Sequence, residues 1–278
     1  MTDNLTLHEA ADELGVHYMT AYRYVRTGML DANKSGGVWQ VTREAVDRFR
    51  AGGERGPVEA GRRAPWSERL EARLLAGDAR GAWGVVEAAM TAGAELDEVY
   101  LDVLTPAMVS IGDRWAAGEI DVAIEHRASG IAMRLLGRLG PRFNRRGRTR
   151  GSVIVGAPEG EFHSLPSAIL GDLLRLEGWD VSDLGADVPS DSYVYALGAA
   201  PEVFAVGLSV TAEENFESLR TACTAIRDAA PDVLIVVGGR IIHNEDQALT
   251  LGADAYAPDA PAMSELLQAR LGETATGT

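Results

Sequence analysis

The chain of 278 residues is 46% hydrophobic and 24% charged, enough to bury the cores of two or three small domains. It has no apolar run long enough to cross a bilayer and no charged-then-apolar leader at Met1-Thr2-Asp3-Asn4-Leu5, so a cytoplasmic location is expected; with Cys223 alone, an intramolecular disulfide and a thiolate metal cluster are excluded. The net charge of −15 argues against nucleic acid only until it is divided: residues 1–64 hold nine Arg/Lys and nine Asp/Glu, leaving 17 against 32 in the remainder, and a locally neutral N-terminal part can bind DNA if its basic residues share a face.

In residues 1–50, Leu7, Ala10, Ala11 and Leu14 recur at helical spacing, Gly15-Val16 marks a turn, and Thr20, Arg23, Tyr24 and Arg26 continue into a second helix that ends at Gly28-Met29-Leu30. Asn33-Lys34-Ser35-Gly36-Gly37 reads as a hairpin tip before Trp39-Gln40-Val41, and Arg43 to Phe49 as a third helix. The expected outline is a winged helix-turn-helix. Its second helix would enter the major groove with Thr20, Tyr22, Arg23 and Arg26 as candidate DNA contacts, while Lys34 and the Gly36-Gly37 backbone approach phosphates. Tyr24 has packing inward as its alternative, and the same residues also suit a small helical interaction module with solvated arginines. Through Leu7-x-Glu9-Ala10-Ala11-x-x-Leu14-Gly15-Val16, Thr20-x-x-Arg23 and Gly28-x-Leu30-x-Ala32, the segment resembles the DNA-binding domain of MerR-type regulators. One such module binds weakly, so useful affinity requires several copies on one assembly.

Residues 51–65, rich in Gly, Pro and charge, read as a flexible linker. Residues 66–142 have apolar periodicity near the helical repeat, broken at Gly77, Gly93 and Gly118, which predicts a four-helix bundle. Trp115 closes the third helix and Glu125-His126 falls in the second turn of the fourth. A short connection makes these helices antiparallel neighbours, so Trp115, Glu125 and His126 are expected at one end of the bundle. Taken singly, they are a core or rim aromatic and a surface pair. Together they offer a flat apolar wall, an acceptor for hydroxyls and an imidazole, which suits an organic group with a π-face and hydroxyls.

In residues 149–278, Ser152–Val155, Trp179–Ser182, Val203–Leu208, Val233–Val237 and Ala253–Tyr256 read as five parallel strands with interleaved helices, a flavodoxin-like (Rossmann-like) domain. Ligands of such sheets bind beyond the carboxyl ends of the strands. There the first loop carries Glu161 and His163, the makings of a metal ligand and its orienting carboxylate, although an isolated loop histidine is also an ordinary polar residue. Ser209 and Thr211 after the third strand offer hydroxyls, and Gly238-Gly239 after the fourth allow close approach of a ligand or simply a turn. No dinucleotide or Walker pattern is present.

A bundle followed by this sheet domain, with His163, Ser209/Thr211 and Gly238-Gly239 in consecutive ligand loops, resembles the cobalamin-binding module of methionine synthase and its relatives. That resemblance implies His163 as the lower cobalt ligand, displacing the dimethylbenzimidazole tail, which inserts beside Ser209, Thr211, Gly238 and Gly239. Joined to the MerR-like segment, and with Trp115, nine residues, then Glu125-His126, nearly the whole chain resembles the CarH/LitR family of adenosylcobalamin-dependent photoreceptor repressors. The resemblance implies Trp115, Glu125 and His126 around the adenosyl group, a dark tetramer on operator DNA, and its release when light cleaves the cobalt–carbon bond, with no substrate turned over. Two positions depart from the family: Pro166 stands where the wider loop pattern has Gly, and Ala116 where a branch of the photoreceptors has a second ligating His. Ala116 keeps open a light-independent cobalamin sensor; a corrinoid carrier for methyl transfer is the other alternative.

Overall fold

A computed structural model of the chain describes residues 4–14, 21, 24–25, 30–35, 38–50, 64–145, 147–200 and 202–276. They form two compact units, Met1–Ala64 with Gln268–Thr278, and Pro65–Leu267.

In the first unit, Thr6 and Glu9 make a reciprocal capping box: Glu9 N donates to Thr6 Oγ1 at 3.2 Å and Thr6 N to Glu9 Oε2 at 2.7 Å. It starts helix α1 (Leu7–Leu14), whose Leu7, Ala10 and Ala11 are buried. Strands β2 (Ala32–Ser35) and β3 (Val38–Thr42) pair as a hairpin, but Asn33, Lys34 and Ser35, expected at its tip, are paired residues of β2. Strand β1 (Asn4–Thr6), which has no strand pattern of its own, pairs antiparallel with β3 through Leu5 and Val41. Thr42 Oγ1 accepts from Ala45 N to begin α2 (Arg43–Arg50), and Tyr24 packs inward against Phe49, ring centroids 4.8 Å apart. Thr20, Tyr22, Arg23 and Arg26 lie outside the described residues; Lys34 sits in β2, opposite Trp39.

The second unit opens with four helices: α3 (Trp66–Leu75), α4 (Ala79–Thr91), α5 and α6 (Val122–Leu139). Helix α5 runs without a break through an α-helical turn at Leu96–Glu98, a π-helical stretch at Val99–Leu104 and a further α-helical stretch at Thr105–Ala116. Leu70, Leu74, Val86, Ala107, Ile111, Ile131 and Leu135 recur at helical spacing and are buried, which is what holds four amphipathic helices together. The turn between α5 and α6 uses Gly118 at φ 74°, where a side chain would be strained, and Asp121 Oδ1 accepts from Ala123 N to cap α6.

The sheet domain has β4 (Ser152–Gly156), α7 (Leu165–Leu176), β5 (Asp180–Asp183), α8 (Ser190–Ala199), β6 (Val203–Ser209), α9 (Phe216–Ala229), β7 (Leu234–Gly238), α10 (Glu245–Thr250), β8 (Ala255–Tyr256) and α11 (Ala260–Thr276). All five strands are parallel in the order β5-β4-β6-β7-β8, the flavodoxin-like arrangement expected. Ile154, Val206, Ile235 and Val237 are fully buried, as strands covered on both faces require. Bundle and sheet are pinned by a buried bond from Tyr100 Oη, in the π-helical stretch, to Asp172 Oδ2 at 2.8 Å. Burial and that carboxylate push the phenol pKa up. Among the described residues no helix is long and apolar enough to cross a membrane.

Candidate functional site

The loop from β4 to α7 is held open in a fixed shape by the loop that follows β5. Ala157 N donates to Gly185 O, Val188 N to Ala157 O, Asp187 N to Glu161 O, and Gly160 N to Asp187 Oδ1, each between 2.8 and 3.0 Å. Asp187 does this at φ 56°, a left-handed conformation that Asp tolerates better than most residues. Pro166, the departure from the family pattern, lies in the first turn of α7, where its missing N–H leaves no hydrogen bond unmade.

Within this loop Glu161 is 1% exposed and is surrounded by donors. Thr211 N (2.6 Å), Thr211 Oγ1 (2.8 Å) and Asn215 Nδ2 (3.2 Å) reach Oε2, while His163 N (3.1 Å) and His163 Nδ1 (2.5 Å) reach Oε1. Burial alone would raise the Glu161 pKa. The bonds from His163 and Thr211 outweigh it and hold the pKa at about 2, so the carboxylate stays ionised. The His163 imidazole is moved the other way: the bond to Glu161 raises its pKa against the opposing effect of burial, and Glu125 adds to the rise.

With Nδ1 tied to Glu161, Nε2 is the ring nitrogen left for a metal, on a side chain that is 57% exposed. Among the described residues no three His, Cys, Asp or Glu gather in a way that could hold a metal ion. One imidazole with an orienting carboxylate is a donor set that a corrinoid-held cobalt can use.

The bundle supplies the facing half. Trp115 lies in the last turn of α5 and is 45% exposed; Glu125 and His126 lie near the start of α6. Glu125 Oε2 holds His126 Nδ1 at 2.6 Å and Oε1 accepts from Ser129 Oγ at 2.5 Å. One and two turns further on, Ser129 and Met133 continue the same face, and Met133 Sδ receives Ser164 Oγ of the His163 loop at 3.8 Å. That contact between α6 and the His163 loop, with Glu125 adding to the rise in the His163 pKa, puts the two expected clusters in one region. Of the seven large hydrophobic side chains most exposed among the described residues, five belong to these elements: Val109 and Trp115 in α5, Val122 and Met133 in α6, and Phe162 in the His163 loop. A planar, largely apolar macrocycle is the kind of group that covers such side chains.

Other expected residues have a more local role. Thr211 spends its N–H and hydroxyl on Glu161 and lies 2.7 Å from His163 Nδ1, so it completes the Glu–His pair. A Cβ on Gly238 would fall 2.2 Å from Ala257 O, and one on Gly239, at φ 107°, would fall 2.0 Å from Val210 O; neighbouring backbone requires both glycines. Ser209 ends β6 beside them. The sequence reading missed Asn215, Ser129 and Met133. The last two carry a signal, being four and eight residues beyond Glu125 on a helix; Asn215 carries none.

The B12 binding domain family matches residues 66–139, a second B12 binding domain family matches 151–267, and a helix-turn-helix domain family matches 5–53. The trimethylamine corrinoid protein 1 of Methanosarcina acetivorans is 28% identical over 185 residues, covering 63% of this chain and 83% of that protein. The HTH-type transcriptional repressor CarH of Myxococcus xanthus is 34% identical over 178 residues, covering 63% of this chain and 57% of that protein's length. The solved structure of the Methanosarcina barkeri monomethylamine corrinoid protein shares the fold, with a TM-score of 0.65 and 20% identity over 73% of this chain and 98% of that one. These matches support cobalamin binding, the helix-turn-helix suggests DNA binding, and both are consistent with a non-enzymatic regulator or carrier.

Proposed function

We propose that the chain is a light-responsive transcriptional regulator that takes adenosylcobalamin as its chromophore and grips operator DNA as an oligomer in the dark. The observation that carries this reading is the pairing of two halves: Glu161 and His163 on the sheet, and Trp115 with Glu125 and His126 on the bundle end whose charge reaches them. When bound, adenosylcobalamin supplies a cobalt–carbon bond that visible light cleaves. His163 would hold the cobalt through Nε2, and Glu161, Thr211 and Asn215 would fix the ring. Trp115 would offer an apolar face to the adenosyl group, with Glu125 and His126 bonding its polar edge. Because Trp115 is half exposed and belongs to the bundle, loss of what it covers would change how bundle and sheet are held together, and with that the assembly that gives several weak DNA-binding modules their combined affinity.

The test is binding to operator fragments, selected from random DNA in the dark, with adenosylcobalamin before and after green light at fixed salt. Tight dark binding that collapses on illumination is expected; equal affinity in both conditions rejects the switch. A corrinoid carrier is the second reading, favoured by the similarity to the trimethylamine corrinoid protein. Against it stand the helix-turn-helix at residues 5–53 and a cap larger than a methyl group needs. A light-independent cobalamin-sensing regulator remains the outcome if the cofactor, but not light, governs DNA binding, and Ala116, which cannot ligate cobalt, favours that variant of the proposal.

A further inference from the structure

The second unit carries the whole of the net charge of −15, yet five of the 17 arginines beyond residue 64 crowd between Arg142 and Arg150, where the bundle joins the sheet. There, at the amino ends of β4 and β5 and so at the sheet edge away from His163, lies a cavity of about 410 Å³. Arg145, Arg148, Arg150, Arg175, Trp179 and Asp180 line it. Arg175 is committed, bonding Asp172 Oδ1 and Val181 O at 2.9 Å each. Arg145, Arg148 and Arg150 are exposed and enter no ion pair among the described residues. Trp179 is only 3% exposed, its ring rests 5.4 Å from that of Phe204, and its buried Nε1 has no hydrogen-bond partner among the described residues.

Three unpaired guanidinium groups repel one another, and an anion in the cavity would relieve that repulsion. Asp180 and Glu177, also at the wall, would repel a continuous row of phosphates such as a duplex presents, but can accept from the hydroxyls of a small molecule. We propose that this cavity binds a small phosphate-bearing anion of nucleotide size, with Arg145, Arg148 and Arg150 on its phosphate oxygens. It is a second ligand site, separate from the Glu161–His163 loop.

Calorimetric titration of the full chain with inorganic pyrophosphate and with ATP tests it. Saturable, salt-sensitive binding of either is expected, weakened about tenfold or more in the double variant R148Q/R150Q, since each charge-assisted bond lost costs about that factor. Cobalamin retained after gel filtration should be the same in wild type and in R148Q/R150Q. The proposal is overturned if neither probe binds saturably, if R148Q/R150Q binds them as wild type does, or if random duplex DNA is the anion whose binding those two substitutions abolish.

Discussion

The protein builds two carboxylate–imidazole pairs of the same local design, and their difference is what the proposed roles of anchor and cap require. At the sheet, Glu161 is 1% exposed and takes five hydrogen bonds from three residues, so His163 Nδ1 is held by a carboxylate that cannot move. At the bundle, the Glu125 side chain is 19% exposed, bonds only His126 and Ser129 among the described residues, and carries a His126 that is 75% exposed. A rigid pair suits a permanent metal ligand. A looser pair, beside a half-exposed Trp115, suits contact with a group that comes and goes.

The largest effect should come from breaking the anchor. Glu161→Ala leaves the buried Asn215 and the half-buried Thr211 donors without their acceptor, and should cost on the order of 3 kcal/mol in chemical denaturation. The milder Glu161→Gln should keep the fold and weaken cobalamin binding about 10- to 100-fold. Unchanged cofactor affinity in the Gln variant would mean that the carboxylate does not orient the ligand.

A third carboxylate sharpens the point that donors, not burial, decide charge. The Asp259 carboxylate accepts only from Ala262 N among the described residues, its Oδ2 is buried without a partner, and burial, with Glu265 nearby, pushes its pKa from 3.8 up to about 7. The folded state therefore binds this proton more tightly than the unfolded chain, and stability from this group is present below about pH 4 and lost as pH rises to about 7. Asp259→Asn should stabilise by on the order of 2 kcal/mol near pH 8 and by little near pH 4, read from melting curves at both. Equal gains at the two pH values would refute the assignment.

The cap should give smaller effects. Trp115→Ala should leave stability nearly unchanged and reduce the preference for adenosyl- over methylcobalamin about tenfold, measured by competition. Glu125→Gln, which frees His126, should change stability by less than about 1 kcal/mol and alter adenosylcobalamin binding less than Glu161→Gln does. If it instead matches Glu161→Gln, the two pairs are equivalent and the anchor-and-cap distinction fails.

Most of this was legible in the chain because buried parallel strands and amphipathic helices write strong periodicities: Val153-Ile154-Val155 and Val233 to Val237 leave little choice. Strand β1 was not legible, since Asn4-Leu5-Thr6 becomes a strand only by pairing with β3. The π-helical stretch at Val99–Leu104 hides for another reason: one wide turn scarcely disturbs the spacing of Val99, Val103 and Leu104. At the site, Glu161 beside His163 could be read from a separation of two residues. That Thr211 and Asn215, about fifty residues away, complete the anchor depends on how β6 lies beside β4, which no local pattern records.

The central claim, that the His163 imidazole is the protein's ligand to cobalt, is tested most directly by electron paramagnetic resonance of the chain loaded with cobalamin in the cobalt(II) state. In protein grown with ¹⁵N-histidine, the nitrogen splitting on the cobalt signal should change from a triplet to a doublet and be lost from His163→Ala. An unaltered triplet would place the nucleotide's own base on the metal and contradict the account.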